Sequence, residues 1–243
     1  NYLINSLRKV AKELYIIQEN RTIFPGIVPS NYPSSSLMEK YFSKVIKAEN
    51  IMFKKSVLQF KDNKVLIFPI IQGDLNKLTL NNLSDFLSSD IYIIFGSSYI
   101  KGDLVKFLIK KKALNIHMGI SPYYRGTDCN FWALYDGNPH LVGATIHYLS
   151  EGLDSGDIAY HIFSEYKKNP FLYTMSTVKG AIHSIIDKIQ NRSIFNLQQH
   201  SQDKSKEIRY SKNIDFNENV VKKFFSKKIQ LQTKKKINFL NQT

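Results

Sequence analysis

An amide and an imidazole stand two residues apart at Asn115 and His117, at the end of the apolar run that starts at Ala113. In an extended strand, side chains at i and i+2 point to the same side. A carboxylate, Asp154, follows much later in Gly152-Leu153-Asp154-Ser155-Gly156 and must be brought in by the fold. An amide donor, an imidazole and a carboxylate are the parts needed to move an acyl group onto an amine. The amide can donate to a developing oxyanion, a contact worth about 3–4 kcal/mol. The imidazole can donate to the same oxygen or take the proton of the attacking amine, and the carboxylate can orient and charge-balance it. General acid–base help of this kind contributes about two to four powers of ten in rate. Each residue alone has a plainer reading. A strand-end Asn is usually a turn former, and an Asp before Ser-Gly passes for a turn residue. A lone His is more often structural, which is the expectation for His140, His147, His161, His183 and His200.

The elements that must position these groups alternate along the chain. Residues 2–12 read as a helix and 13–18 as a strand. Residues 25–36, with three prolines and four serines, read as a loop. Residues 37–60 look helical, 65–71 form a strand, and a helix is expected near 82–87. The run Ile91–Phe95 is apolar enough to be covered on both faces, as in a parallel sheet. Asp103 is a candidate cap for a helix through Lys111, and residues 113–116 form the strand that ends at the Asn/His pair. Residues 128–136 are a short helix, 142–149 and 158–163 are strands around Asp154, and 173–191 are an amphipathic helix. This alternation predicts an α/β domain with a doubly wound, mostly parallel sheet, where ligands bind beyond the carboxyl ends of strands. A strand normally precedes the first helix, so one is expected upstream of Asn1. The division expected is a domain over residues 1–201 and a short basic C-terminal appendage over 202–243, with Phe224, Phe225, Ile229 and Leu231 as anchors on the core or on a second subunit.

The ordered motifs resemble the folate-dependent formyltransferases, a Rossmann-like fold. They are Asn115-Ile116-His117, Tyr124-Arg125-Gly126, Trp132-Ala133-Leu134, Gly143-Ala144-Thr145-Ile146-His147 and Gly152-Leu153-Asp154-Ser155-Gly156-Asp157, with the likeness spread over residues 90–165. The resemblance implies Asn115, His117 and Asp154 as catalytic residues and N10-formyltetrahydrofolate as co-substrate, with no metal. It places the folate against the strand-end loop Gly96, Ser97, Ser98, Tyr99 and Ile100 and the loop Ser150, Glu151 and Gly152. Backbone groups would pair with the pterin there. Tyr123, Tyr124, Arg125 and Gly126 follow the histidine closely. The flat cation beside aromatics suits a phosphate or a stacked ring, and it equally suits a structural pin for this loop. Phe131 and Trp132 read as core. Many relatives carry His-Pro-Ser-Leu-Leu-Pro where this chain has His117-Met118-Gly119-Ile120-Ser121-Pro122, so a serine hydroxyl beside the site is replaced by Gly119 and a different acceptor pocket is expected.

Composition narrows the partners. The chain has 243 residues, 43% of them hydrophobic, one cysteine and a net charge of +14. One cysteine excludes an internal disulfide. No run reaches the length of a membrane span, and without a secretory signal the cytoplasm is the expected compartment. The segment 204–243 carries eleven Lys/Arg against three Asp/Glu, a net +8, so most of the excess charge is terminal. Only five residues are Arg, whereas readers of bases and phosphates favour arginine forks. The basic end is either a solvated surface or a contact for an anionic partner, and nucleic acid is not the expected substrate. Relatives that formylate methionyl-tRNA carry a substantial C-terminal β domain, for which 40 residues are too few. The branch expected is the one that formylates amino sugars on nucleotide carriers for surface polysaccharide such as O-antigen. Its acceptor would be a dTDP-linked 4-amino-4,6-dideoxyglucose or the 3-amino isomer, and the enzyme a homodimer. The competing readings are a methionyl-tRNA formyltransferase with a reduced tail, a formyltetrahydrofolate hydrolase, and a binding protein on an inactive core.

Overall fold

The computed structural model describes residues 1–20, 28–29, 31–54, 64–163 and 166–227. Along the chain run α1 (Tyr2–Leu7), β1 (Leu14–Asn20), α2 (Ser36–Phe53), β2 (Val65–Ile71), β3 (Ile93–Ile94), α3 (Gly102–Lys110), β4 (Leu114–His117), β5 (Tyr124–Gly126), α4 (Cys129–Tyr135), β6 (Ala144–Tyr148), β7 (Ile158–Ile162), α5 (Pro170–Gln190), β8 (Arg209–Ser211) and α6 (Glu218–Ser226). Short 3-10 turns join several of them. The chain is thus α/β, as the alternation of patterns predicts.

The strands pair in three groups. β1 and β2 run parallel over seven residues each. A central sheet has the order β3-β4-β6-β7, with β3 parallel to β4 and both following pairs antiparallel. β5 and β8 form a short parallel pair. The antiparallel half of the central sheet is what brings β6, and the loop after it, beside the end of β4.

Several expected elements need correction. Ile91–Phe95 contributes only the two strand residues Ile93 and Ile94, and none of its five residues is buried. The cause is position: among the described residues β3 is the edge of its sheet, so one flank lacks a strand. Asp103 does not cap α3, which starts one residue earlier with Lys101 at the cap position. Asp103 instead lies in the first turn, 3.8 Å from Lys106. α5 also begins before its first predicted residue. The Asn169 side chain accepts hydrogen bonds from the N–H groups of Phe171 and Leu172, and Pro170 occupies the first turn, where its missing N–H costs nothing. The helical reading beyond residue 54 and the anchors Ile229 and Leu231 lie outside the described residues.

Three buried clusters hold these elements together. One joins Met38 and Tyr41 of α2 to Phe131 and Trp132 of α4 and to Phe216, Val221 and Phe224 near the C-terminal end. A second sets Leu114, Ile116 and Ile146 of the central sheet against Ala181 and Ile185 of α5. The third packs Leu104, Val105 and Leu108 of α3 over Leu75, Leu83 and Ala113. Phe131 and Trp132 are core residues, as read from the sequence. The polar segment after residue 201 supplies β8 and α6, and both pack on the rest of the chain.

Candidate active site

β4 sets Asn115 and His117 on one face of the central sheet while Leu114 and Ile116 go to the core on the other. The antiparallel register with β6 places His147 opposite Asn115 and Thr145 opposite His117. Cross-strand partners share a face, so four polar side chains converge there. A register irregularity between Ile146 and His147 re-aims the end of β6. His147 is buried, with Nδ1 at 2.9 Å from the Tyr148 carbonyl. A carbonyl only accepts, so the ring proton sits on Nδ1. Nε2 then accepts from the Asn115 amide at 3.0 Å. The same amide nitrogen lies 3.4 Å from Asp154 Oδ1, a longer contact.

Asp154 reaches the pair from the loop between β6 and β7, with φ 47° in the left-handed region that Asp tolerates better than most residues. Its Oδ2 lies 3.4 Å from His117 Nδ1 and accepts from the Gly126 N–H at 3.2 Å; its Oδ1 lies 3.6 Å from His147 Nε2. The loop can come this close because residue 156 is glycine. A Cβ there would stand 1.8 Å from the Tyr148 carbonyl oxygen. Burial alone would raise the Asp154 carboxyl, but His117, His147 and the Gly126 N–H outweigh it and hold the group at about 2. Burial pushes the His117 imidazole below its ordinary value, against the upward pull of Asp154; His147 and Arg125 add to the downward push. His117 Nε2 donates to the Tyr124 carbonyl at 3.1 Å. Its Nδ1 faces the Asp154 carboxylate from the other side of the ring. The three residues picked from sequence meet in one constellation, with the imidazole set between a backbone carbonyl and an ionised carboxylate.

The folate-loop candidates form a second group beside it. The N–H and hydroxyl of Ser98 are both 2.6 Å from the Glu19 carboxylate at the end of β1, which also accepts from the Gly73 N–H. Tyr99 donates its hydroxyl to the Glu151 carbonyl, tying the 96–100 loop to the 150–152 loop. Ser150 exchanges a 2.9 Å hydrogen bond with Ser155. Ile100 is buried, whereas Gly96 and Ser97 are exposed. Phe95, Tyr99 and Leu153 keep large apolar surfaces in water along the same two segments. Among the described residues no cluster of three or more His, Cys, Asp or Glu could hold a metal ion.

The acceptor-side candidates divide. Tyr124 turns its ring into the core, where its hydroxyl meets Asp136 and Asn138 and burial pushes the phenol up to about 12. Tyr123 presents its carbonyl to the N–H groups of Ile208 and Arg209. Arg125 donates to the Leu153 carbonyl and pairs with Glu207, both at 2.8 Å. It thus pins the Asp154 loop to the segment that follows residue 201. Gly126 gives its N–H to Asp154.

The sequence reading takes His147 as structural and does not single out Glu19 or Gln202. The signal for His147 was present in Gly-x-Thr-Ile-His, but only the register sets it against Asn115. Glu19 and Gln202 lie too far from the motifs for spacing to link them. Gly119, which takes the place of a serine, now has a steric reason. A Cβ there would meet Cys129 Cβ at 2.5 Å and His117 Nε2 at 2.7 Å.

An α/β fold with an amide, an imidazole and a carboxylate gathered beyond strand ends defines a class of site built for acyl transfer. Residues 83–170, which contain all three, match the family model described as formyl transferase. Two methionyl-tRNA formyltransferases of Prochlorococcus marinus are similar to it. That of strain MED4 is 26% identical over 137 residues, covering 53% of this chain and 42% of the relative. That of strain MIT 9515 is 22% identical over 222 residues, covering 83% and 66%. The chain thus spans less than two thirds of the length of either. Among solved structures, the formyltransferase PseJ of Anoxybacillus kamchatkensis, in complex with UDP-4,6-dideoxy-4-formamido-L-AltNAc and tetrahydrofolate, is similar with a TM-score of 0.51 and 18% identity, covering 84% of this chain and 87% of that one. At that identity the likeness is one of fold.

Proposed function

We propose that this chain transfers a formyl group from N10-formyltetrahydrofolate to the amine of a nucleotide-linked amino-dideoxy sugar destined for surface polysaccharide. The observation that carries the reading is the meeting of Asn115, His117 and Asp154 inside the segment that matches the formyl transferase family. The bound folate would supply an activated formyl carbon. The sugar amine would attack that carbon to give a tetrahedral oxyanion, which collapses as the bond to N10 breaks, N10 leaving with the proton that His117 has taken from the amine. An oxygen gaining charge beside Asn115 competes with Asp154 for the second amide hydrogen, whose 3.4 Å contact is the weaker of the two. His117 takes the proton that the amine loses, and Asp154 balances the resulting imidazolium.

The sugar acceptor is supported by the fold shared with PseJ, whose complex holds a nucleotide-linked formamido sugar. A dTDP-linked 4-amino- or 3-amino-dideoxy sugar is the first acceptor to try, and a cytoplasmic homodimer is the form in which we place the enzyme. No helix among the described residues is long and apolar enough to cross a membrane. The second reading, formylation of methionyl-tRNA, is favoured by the curated relatives and the net charge of +14.

One assay separates them. The protein is incubated with N10-formyltetrahydrofolate and a panel of nucleotide-linked amino sugars, methionyl-tRNA or water alone, and products are followed by mass spectrometry. A formyl gain on a sugar nucleotide is the expected result. A gain on tRNA alone would replace the acceptor, and formate from water alone would make the protein a hydrolase.

A further inference from the structure

The Asp154 loop is held from outside by a stretch that neither composition nor motif connects to it. His200 and Ile158 exchange two backbone hydrogen bonds at 2.8 and 2.9 Å, which brings the chain past residue 200 alongside the start of β7. Two residues on, Gln202 sends Nε2 to the carbonyl of Asp154 at 2.9 Å and to that of Gly156 at 2.7 Å. A primary amide has two N–H bonds, and each finds one acceptor. The carbonyls belong to Asp154 itself, the left-handed residue, and to the glycine that touches Tyr148. Five residues later Glu207 pairs with Arg125, which in turn donates to the Leu153 carbonyl. The carbonyls of three of the four residues from Leu153 to Gly156 are therefore held by two side chains, Gln202 and Arg125.

We infer that Gln202 is a positioning residue for the reaction, holding the Asp154 loop so that its carboxylate faces His117 and Asn115. The inference rests on the formyl-transfer reading for its effect on rate, though not for its effect on geometry. Without the Gln202 amide, the carbonyls of Asp154 and Gly156 turn toward water and the left-handed turn relaxes. The carboxylate then draws away from His117 Nδ1, now 3.4 Å distant. Displacements near 1 Å in such a constellation are enough to cost about a hundredfold in rate.

Two substitutions and one control test this. Gln202→Ala removes both donors. Gln202→Glu keeps the size, so it leaves no cavity, but sets a carboxylate against two carbonyl oxygens. Lys204→Ala, an exposed neighbour in the same stretch, is the control. Both Gln202 variants should keep the wild-type far-ultraviolet spectrum and lose about tenfold or more in kcat, with KM for both substrates within about twofold. The readout a merely structural role would not move is the NMR titration of the His117 ring. That ring faces Asp154, His147 from β6 and Arg125 from β5, with the Cys129 thiol of α4 nearby. Of these, only Asp154 pulls its proton affinity up, so withdrawing the carboxylate moves the titration to lower pH, as Asp154→Asn should. A His117 titration unmoved in both Gln202 variants overturns the assignment whatever the activity, and so does kcat within twofold of an active wild type. If wild-type protein formylates none of the acceptors, the formyl-transfer reading fails, and the titration still decides whether Gln202 sets the loop.

Discussion

His117 stands between a backbone carbonyl at Nε2 and the Asp154 carboxylate at Nδ1, and the roles of the three residues at this site are testable. Asn115→Ala, His117→Ala and Asp154→Ala should each lower formyl transfer by about a hundredfold or more while circular dichroism stays native. Turnover close to wild type in all three would remove the mechanism. The ionisation of Asp154 also makes a stability prediction. Its folded value of about 2 lies below the ordinary 3.8, so the native state favours the carboxylate. The stabilisation this brings is fully present above about pH 4 and is lost as pH falls toward 2. Acid unfolding of Asp154→Asn should lack that share of the slope; a profile parallel to wild type would mean the carboxylate is not held as described. Gly119→Ser, which restores the residue found in many relatives, meets Cys129 and His117. It should cost about 1–3 kcal/mol in urea unfolding and lower kcat.

At the scale of elements, the site depends on how closely β6 and the loop after it approach each other. Gly156→Ala puts a methyl group 1.8 Å from the Tyr148 carbonyl, so either the loop lifts or β6 bends. A Tm several degrees below wild type and a loss of activity are expected together, since the same contact serves both. Arg209 holds β8 in place through a fork to Asp136 at 2.9 and 2.7 Å and a face 4.4 Å from the Trp132 ring. Arg209→Lys keeps the charge but loses fork and stacking, and should lower stability by about 1 kcal/mol in thermal melts. The elements differ in how readily they could be read. β2 matches its expected residues because its run is bounded and apolar. β3 was overestimated because a run of apolar residues looks the same at a sheet edge as in its centre. The start of α5 is legible in Asn169-Pro170, a cap and first-turn pair more local than the apolar period of residues 173–191.

For the molecule as a whole, the stretch after residue 201 joins the core that the earlier residues build. Phe216, Val221 and Phe224 are buried against α2 and α4, and β8 pairs with β5. A chain ending at residue 201 should expose that apolar surface and lose the Gln202 and Glu207 contacts. Proteolysis of this truncated chain should be far faster than that of the full one; equal resistance would mean that the first 201 residues stand alone. This packing was hidden in the sequence because the segment is basic and polar on average. Its three buried apolar side chains among the described residues are spaced along a turn and one short helix, too few for a periodic signal.

The sequence by itself determined the α/β class, the strand that carries Asn115 and His117 on one face, and the likeness of its ordered motifs to one family. These follow from period-two geometry and from local spacing, which a chain displays before it folds. The tertiary structure decided which other groups join them. His147 enters through antiparallel register, Asp154 through a close approach that only glycine permits, and Gln202 and Arg125 through contacts spanning 28 to 48 residues. Such pairings depend on where distant strands and loops come to rest. That placement is set by the packing of the whole core, which no local stretch of sequence records.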